Sequence, residues 1–326
     1  MVLQYYLLIA LVSFLATFVL SHFLIPRLKR FGMTGKDVNK PDRPEVAEMG
    51  GIAIVAGFTS GILLAIFFNT FFGFDFNLVN VLAALITIHS VAFMGVVDDL
   101  IDIPQKYKAL LPLFAAIPLV AVKAAGSTSV AIPFLGVVNF GMFYILVLIP
   151  IGVAVASNLT NMLAGFNGME AGMGAVIFLA MGILAIKDGS VEMLLISLSM
   201  LAALLAFLHF NIYPSKAFPG DVGNLTIGAA LATAVIIGNF ESAGAILVIP
   251  YVMDFFIKAY NRFPSSQWWG EYRDGKLYPV EGKVRGFAQL VMKKFNGISE
   301  QNLVRFFIGF EALVAAALLA IVLLKL

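Results

Sequence analysis

Long runs of apolar residues, separated by short polar segments, dominate this chain of 326 residues. The hydrocarbon core of a bilayer is about 30 Å thick, so a helix crosses it with about 20 residues. Ten apolar runs approach that length, at residues 3–25, 50–68, 79–97, 108–123, 141–157, 170–186, 191–210, 222–238, 243–260 and 303–324. The pattern predicts an all-α integral membrane protein of about ten transmembrane helices.

The positions of Lys and Arg predict the orientation, because these residues concentrate in cytoplasmic loops. With ten spans, 18 of the 21 Lys and Arg residues fall on one side, and only Lys123, Lys187 and Lys325 fall on the other. We therefore expect a multi-pass protein whose charge-rich loops are cytosolic and whose two termini face outward. Twelve of the 19 Asp and Glu residues lie on the cytosolic side as well. Acidic residues do not set topology, so their concentration there needs another explanation.

The polar segments are too short to form a second domain, and we expect a single polytopic domain, 1–326. The longest segment, 261–302, lies between the ninth and tenth spans and mixes charges with Trp, Tyr and Phe. Trp and Tyr are favoured at the membrane–water interface. The pattern indicates an ordered cytosolic loop at the membrane surface.

Composition narrows the class of protein further. Apolar residues make up 61% of the chain and charged residues 12%, with a mean hydropathy of +0.97. Soluble domains carry about 25% charged residues, so a water-soluble globular protein is excluded, and intrinsic disorder is excluded for the same reason. The chain contains no Cys, which rules out disulfides, thiolate nucleophiles and thiolate metal sites.

Two adjacent carboxylates end the third apolar run. Asp98 and Asp99 follow residues 91–97, and Lys108 comes shortly after them. Neighbouring carboxylates at a membrane boundary repel each other, which favours pairing with a cation, sharing a proton or binding Mg²⁺. A solvated helix end would show the same doublet, so this pattern alone leaves both interpretations open.

A group of carboxamides follows the fifth run. Asn158 and Asn161 share a helix face, because residues three apart are neighbours on a helix. Gly165, Asn167 and Gly168 then end the helix where it should leave the membrane. Three carboxamides next to flexible backbone suit a polar ligand that carries phosphate and hydroxyl groups, and they suit lipid badly.

Two further segments carry acidic residues on the cytosolic side. Asp221 is expected at the N-cap of the eighth span, after Pro219 and Gly220 stop the preceding chain. It is either an ordinary cap or a ligand of a metal–phosphate group approaching the positive end of the helix. The mixed charges of the loop 26–49, which includes Asp37 and Glu48, indicate an ordered surface loop.

Taken together, these segments resemble one known family. The chain contains Asp-Asp at the end of the third span, Lys-x-Leu-Leu-Pro, Asn-x-x-Asn-x-Leu-Ala-Gly-x-Asn-Gly-x-Glu-Ala-Gly and Gly-Asp-x-Gly, in that order. Along essentially its whole length it is similar to the polyprenyl-phosphate N-acetylhexosamine-1-phosphate transferases. The sequence around Asn167 is most similar to that of the eukaryotic and archaeal branch, the UDP-GlcNAc:dolichyl-phosphate GlcNAc-1-phosphate transferases.

The resemblance implies transfer of GlcNAc-1-phosphate from UDP-GlcNAc to a polyprenyl or dolichyl phosphate, with UMP released. It implies a requirement for Mg²⁺, with Mn²⁺ as a substitute, held by Asn161 and Asp221. Lys108 would meet the lipid phosphate. Asp98 and Asp99 would lie beside the reacting phosphates, where one of them either positions or deprotonates the lipid phosphate or forms a covalent intermediate.

The resemblance also implies contacts with the nucleotide sugar. Asp37, Glu48, Asn158 and Asn167 are the candidates in the first part of the chain. Relatives often carry His- or Arg-rich clusters in the last cytosolic loop, whereas this chain has no His there. The candidates to substitute for them are Arg262, Arg273 and Lys276. The expected partners are UDP-GlcNAc, the lipid phosphate and the bilayer, without nucleic acid, and relatives often form homodimers.

Three alternatives remain. A secondary transporter would also have about ten spans, but it should place ionisable groups near mid-membrane, where only Asp254 and Glu311 lie. A non-catalytic scaffold would have no use for Asn161, Asn167 and Asp221 together. A member of the same family could use another UDP-N-acetylhexosamine or UDP-MurNAc-pentapeptide.

Overall fold

The computed structural model describes residues 2–123, 127–132, 135–264 and 266–324. Its helices, in chain order, are α1 (Val2–Arg30), α2 (Gly51–Phe72), α3 (Leu78–Ile101), α4 (Gln105–Ala115), α5 (Ile117–Lys123), α6 (Ile149–Met162), α7 (Met169–Asp188), α8 (Val191–Asn211), α9 (Gly220–Gly238), α10 (Glu241–Leu247), α11 (Ile249–Tyr260), α12 (Phe287–Lys294) and α13 (Glu300–Leu324). A π-helical turn, Tyr144–Leu148, leads into α6, and a 3₁₀ turn, Val280–Gly282, lies ahead of α12.

The prediction of about ten transmembrane helices is confirmed. Within the described residues, nine helical stretches are long and apolar enough to cross a membrane, with α4 and α5 forming one of them. The pair α10 and α11 supplies a tenth, bent by 59° at Val248. The spans extend further than the apolar runs at their charged ends. Thus α1 continues to Arg30 and α3 includes both Asp98 and Asp99.

Three antiparallel hairpins connect helices. They consist of β1 (Thr34–Lys36) with β2 (Glu45–Ala47), β3 (Ser129–Ile132) with β4 (Gly136–Asn139), and β5 (Gly270–Arg273) with β6 (Lys276–Pro279). Their registers pair Thr34 with Ala47, Ser129 with Asn139, and Gly270 with Pro279. The β5–β6 hairpin and α12 give 261–302 the ordered structure that its aromatic residues indicate.

Helix α9 lies at the centre of the bundle, and every residue from Val222 to Gly238 is buried. It packs against α2, α3, α6 and α8. Its Gly, Ala and Thr residues let neighbouring backbones come close, as is usual where helices associate in membranes. A Cβ on Gly51 of α2 would lie 2.3 Å from the Gly223 nitrogen, and one on Gly95 of α3 would lie 2.5 Å from the Val222 Cα.

The first polar loop joins the start of α9 through backbone hydrogen bonds. Phe218 N donates to Ala47 O at 2.8 Å, Gly50 N to Phe218 O at 2.9 Å, and Gly51 N to Pro219 O at 2.8 Å. These bonds anchor the β1–β2 hairpin and the start of α2 beside Asp221. As a result, chain segments that are far apart in sequence converge at one end of the bundle.

Candidate active site at one end of the bundle

The polar end of the bundle contains two groups of interacting side chains. The first, which we call the Lys108 cluster, consists of Asp98, Asp99, Lys108 and Asp221. The second, the Asn167 network, consists of Asp37, Lys40, Asn167 and Glu300. The first group comes from the C-terminal end of α3 and the N-terminal ends of α4 and α9. The second comes from the loop after α1, the turn after α6 and the N-terminal end of α13, so both groups lie at the same end of the bundle.

Lys108 joins two carboxylates that come from different helices. Its Nζ forms ion pairs with Asp98 of α3 and with Asp221 Oδ2 of α9, the latter at 2.6 Å. The Asp98 side chain is only 3% exposed, whereas the Asp221 side chain is 26% exposed. Asp98 Oδ1 also accepts a hydrogen bond from Ile103 N at 2.8 Å. Of the two carboxylates, Asp221 is therefore the one that a ligand can reach more readily.

Asp99 has a different environment from its neighbour. Its Oδ1 accepts from Asp221 N at 2.7 Å and its Oδ2 from Val222 N at 3.1 Å. These N–H groups belong to the first turn of α9, where backbone N–H groups have no acceptor within the helix. Asp99 thus caps α9 from a neighbouring helix and sets the position of Asp221 backbone atoms.

The prediction of Asp221 as the N-cap of α9 is wrong. The N-cap position is held by Pro219, and Asp221 is the second residue of the helix. The helix begins one residue earlier, at Gly220, which has a φ of +68°. A Cβ on Gly220 would lie 2.7 Å from Asp99 Oδ2, so the Asp99 carboxylate lies directly against this turn. Since Asp99 supplies the cap, the Asp221 side chain is free to meet Lys108.

The carboxamides of α6 face α4 and α9. Asn161 Oδ1 accepts from Asn224 Nδ2 of α9 at 3.2 Å, and the buried Asn224 Oδ1 has no hydrogen-bond partner among the described residues. Asn158 Nδ2 donates to Ala154 O at 2.8 Å and to Ala109 O of α4 at 3.3 Å. Asn158 thus joins α6 to α4, the helix that carries Lys108.

Glu48 lies between the β1–β2 hairpin and the Lys108 cluster. A Cβ on Gly35 would lie 2.9 Å from Glu48 Oε1, so the carboxylate covers the first strand. Burial, followed by the negative charge of Asp99, raises the pKa of the Glu48 carboxyl above its usual range. The loop 26–49 therefore contributes a carboxylate beside the cluster.

The Asn167 network is buried and connects three chain segments. Asn167 Nδ2 donates to Asp37 Oδ2 at 3.1 Å, and Asn167 N donates to Glu300 Oε1 at 2.9 Å. Lys40 Nζ pairs with Asp37 Oδ2 at 3.0 Å and also with Glu300. Asn167 is 2% exposed and Asp37 is 3% exposed. The structure thus brings together two predicted site residues, Asp37 and Asn167, although it leaves little of either accessible.

The two predicted arginines make other contacts or are exposed. Arg273 occupies the β5–β6 hairpin, where it pairs with Glu271 at 2.7 Å and lies over the Tyr278 ring at 5.8 Å. Arg262 follows α11, is exposed, and has a φ of +59°. Among the described residues, neither arginine forms an ion pair or a side-chain hydrogen bond with a member of the Lys108 cluster or the Asn167 network.

Sequence reasoning missed Lys40 and Glu300. Lys40 follows Asp37 by three residues, which is a weak signal for an ion pair. Glu300 is in the first turn of α13, where an acidic residue is explained equally well by the helix dipole. Asn39 was also missed; its Nδ2 donates to Gly165 O at 2.9 Å and its Oδ1 accepts from Gly270 N at 3.0 Å.

The donors around the Lys108 cluster suit Mg²⁺. They are the Asp221 carboxylate, the Asn161 carboxamide and the unpartnered Asn224 Oδ1, all hard oxygen ligands. Across the described ranges there is no group of three or more His, Cys, Asp or Glu residues arranged to hold a metal ion. A site with so few protein ligands is typical of Mg²⁺, which usually keeps waters and binds substrate phosphates.

Comparison with known proteins links this geometry to a family. Residues 81–239 match the family model described as glycosyl transferase family 4, a range that contains the whole Lys108 cluster. The chain is 37% identical to a Saccharolobus solfataricus protein over 94% of this chain and 93% of the relative. That protein is provisionally named as a UDP-N-acetylglucosamine–dolichyl-phosphate N-acetylglucosaminephosphotransferase.

Two other relatives extend the comparison to eukaryotes and bacteria. The UDP-N-acetylglucosamine–dolichyl-phosphate N-acetylglucosaminephosphotransferase of Saccharomyces cerevisiae is 28% identical over 85% of this chain and 74% of its own length. The phospho-N-acetylmuramoyl-pentapeptide-transferase of Halalkalibacterium halodurans is 31% identical over 72% of this chain and 75% of its own length. Both names describe transferases of phosphorylated amino sugars.

Proposed function

The chain belongs to glycosyl transferase family 4, and on that premise we propose that it transfers GlcNAc-1-phosphate from UDP-GlcNAc to a polyprenyl (dolichyl) phosphate. The products are polyprenyl-diphosphate-GlcNAc and UMP. This reaction would begin a lipid-linked glycan pathway such as N-glycosylation. The observation that carries the proposal is Lys108, which joins Asp98 and Asp221 at the helix ends where a lipid head group and a soluble diphosphate can meet.

The charges of the substrates explain why such a cluster is needed. An oxygen of the lipid phosphate attacks the β-phosphorus of UDP-GlcNAc, and the bond from that phosphorus to the bridging oxygen breaks, so UMP leaves. Both reactants are anions and repel each other. In this proposal the Lys108 ammonium draws the lipid phosphate into place, exchanging part of its pairing with Asp98 and Asp221 for a phosphate oxygen.

The two adjacent aspartates have separate roles in this proposal. Both oxygens of Asp99 accept N–H groups of α9, so Asp99 is a positioning residue that fixes Asp221. Asp98 pairs with Lys108, which places its carboxylate where a lipid phosphate held by Lys108 would arrive. Asp98 would therefore orient or deprotonate the lipid phosphate. A covalent intermediate on an aspartate remains the alternative to direct transfer.

Asp221 and Asn161 are proposed to hold Mg²⁺, or Mn²⁺ as a substitute, with Asn224 Oδ1 close by. When bound, the ion supplies neutralising charge to the diphosphate and so stabilises the phosphoryl transition state. Asp221 is the more exposed of the two carboxylates paired with Lys108, which supports its role as a ligand.

The remaining site residues are proposed to serve the nucleotide sugar. Asp37 and Asn167 would act from the Asn167 network, and Glu48 from the β1–β2 hairpin. Asn158 would act by holding α6 against α4. Arg262, which follows α11, and Arg273, in the β5–β6 hairpin, are proposed to meet the UDP phosphates.

A panel of donors tests the substrate. Purified protein in lipid vesicles with Mg²⁺ and a polyprenyl phosphate would be offered UDP-GlcNAc, UDP-GalNAc or UDP-MurNAc-pentapeptide. The proposal predicts a radiolabelled lipid product from UDP-GlcNAc, and loss of that product when EDTA removes divalent ions. Activity with UDP-MurNAc-pentapeptide alone would retain the family but overturn the proposed donor, and inactivity with every donor would overturn the reaction.

A further inference from the structure

The Asn167 network contains a buried ion pair that nothing in the chemistry of the Lys108 cluster requires. Lys40 and Glu300 are 260 residues apart in sequence, yet their side chains are only 9% and 4% exposed and contact each other directly. Burying two charges costs several kcal/mol per ion unless both are well paired. The Lys40 Nζ atom also lies 4.4 Å from the centre of the Tyr213 ring.

We propose that Lys40 and Glu300 are positioning residues that orient Asn167 for the nucleotide sugar. This inference rests on the proposed function. The two residues act through hydrogen bonds to the turn between α6 and α7, and they do not touch the reacting phosphates.

The contacts of Asn167 show how the orientation is set. Its Oδ1 accepts from Ser215 N at 2.8 Å and from Lys40 Nζ at 3.3 Å. Its backbone N donates to Glu300 Oε1 at 2.9 Å, and its Nδ2 donates to Asp37 Oδ2 at 3.1 Å. A carboxamide has two N–H groups. One is directed to Asp37, and the geometry of the network determines where the second one points.

The turn that carries Asn167 is held both by its own hydrogen bonds, from Gly165 N to Glu170 and from Met169 N to Phe166 O, and by contacts from distant segments. Gly165 has a φ of +106° and Gly168 a φ of +88°, so the backbone leaves the helical region on both sides of Asn167. Asn39 holds Gly165 O at 2.9 Å, and Lys40 is the next residue in the same loop. Glu300, at the start of α13, supplies the anchor from the other side. The first loop and the last helix therefore both contribute contacts that hold the turn in position.

Three substitutions at Glu300 separate positioning from folding. Glu300→Ala removes the acceptor for Asn167 N, and Glu300→Asp keeps the charge but withdraws the carboxylate by one methylene group. Glu300→Gln keeps the length of the side chain and one acceptor oxygen. We expect the KM for UDP-GlcNAc to rise about 10-fold in the Ala and Asp variants, as loss of a hydrogen bond to a charged group implies. The Gln variant keeps an acceptor for Asn167 N but loses the charge that pairs with Lys40, so its KM should lie between the wild-type value and the values of the Ala and Asp variants.

The KM for the lipid phosphate should be unchanged in all three variants, because Lys108 and its partners lie in a separate cluster. Glu281→Gln is the matched control, since Glu281 pairs with Lys283 at 2.9 Å on the exposed surface of the same cytosolic segment. It should leave both KM values at the wild-type level. If the Ala variant fails to fold, the comparison between the Asp and Gln variants still carries the test.

A purely structural role would lower the amount of active protein, and hence the apparent kcat, without raising the KM of one substrate. That result, or equal changes in both KM values, or a Gln variant as impaired as the Asp variant, would overturn the inference. A wild-type protein that transfers no GlcNAc-1-phosphate would instead overturn the proposed function, so the two failures are distinguishable.

Discussion

Lys108 is the residue on which the charge balance of the candidate active site depends. It is flanked by Asp98 and Asp221, so removing Lys108 leaves both carboxylates without this partner, whereas removing either carboxylate leaves Lys108 paired with the other. Breaking such a pair is costly, by about 3–5 kcal/mol when the pair is fully buried and less when one partner is exposed. The exposed side of the cluster is Asp221, so it can change partners when an anionic substrate and a cation arrive.

Replacing Asp221 with Asn tests the proposed metal ligand. Asp221→Asn keeps the shape of the side chain but removes its negative charge, and we expect the rate of transfer to fall about 100-fold or more, because charge neutralisation by a bound ion is worth several kcal/mol. Asp188→Asn is the matched control, because Asp188 is at the end of α7 that lies away from the candidate site, and this variant should retain the wild-type rate. Transfer at an unchanged rate in Asp221→Asn would refute the assignment.

Replacing Asp99 tests its role as the cap of α9. Asp99→Ala removes the acceptors of two N–H groups, and we expect it to destabilise the protein by about 1–2 kcal/mol, as loss of a helix cap does. Asp99→Asn keeps one acceptor oxygen and should lie between Ala and wild type. The thermal unfolding midpoint in detergent measures this order. An Asp99→Ala protein as stable as wild type, but inactive, would contradict the capping role.

The separation of roles between Asp98 and Asp99 could not be predicted from the sequence. Both residues were recognised as candidates because a carboxylate doublet ends an apolar run. Successive residues of a helix point about 100° apart, so one side chain faces α4 and the other faces the start of α9. Which neighbouring helix each side chain faces is decided by the packing of the bundle, and the local sequence does not indicate it.

At the level of elements, the site depends on how closely α9 approaches its neighbours. The start of α9 contacts α2 and α3 through backbone atoms at Gly51, Gly95 and Gly223. These contacts place the first turn of α9 next to the last turn of α3, where Asp99 meets it. A larger side chain at any of these positions would move the helix that carries Asp221.

Adding a single methyl group tests this close approach. Gly51→Ala would put a Cβ 2.3 Å from the Gly223 nitrogen, and we expect it to destabilise the protein by about 1–3 kcal/mol and to reduce transfer. Gly152→Ala on α6 is the matched control, since a Cβ there meets no atom within 4 Å. It should be neutral or stabilising by up to about 1 kcal/mol. Equal thermal midpoints for the two variants would contradict the packing argument.

Sequence periodicity predicted the spans well, because a span of about 20 apolar residues is a strong and local signal. It did not predict the hairpins, since β1 and β2 have three residues each and show no alternating pattern. The bend at Val248 also went unnoticed, because the apolar run continues through it. The ion pair of the Asn167 network was missed for another reason, because Lys40 and Glu300 lie 260 residues apart in the sequence.

At the scale of the whole molecule, the unequal distribution of Lys and Arg predicts which face of the membrane each helix end occupies. Both polar groups lie next to the Lys- and Arg-rich loops, which supports the proposal that the reaction takes place on the cytosolic face. A nucleotide sugar would then reach the site from water, and the lipid phosphate from the inner leaflet. The β3–β4 hairpin lies at the opposite end of the bundle.

Cysteine labelling tests the orientation directly, because the chain has no Cys of its own. Val137→Cys in β4 is 74% exposed at one end of the bundle, and Asp274→Cys lies in the exposed β5–β6 turn at the other. In intact cells, a membrane-impermeant maleimide should label Val137→Cys and not Asp274→Cys, with both labelled after permeabilisation. The reverse pattern would place the candidate site outside the cell.

The central claim is that the protein transfers a phosphorylated sugar and not the sugar alone. UDP-GlcNAc labelled with tritium in the sugar and with ³²P in the β-phosphate separates the two reactions. Purified protein in vesicles with Mg²⁺ and a polyprenyl phosphate should yield a lipid that carries both labels in equal molar amounts, together with UMP. A lipid that carries tritium without ³²P, with UDP as the released nucleotide, would contradict the account.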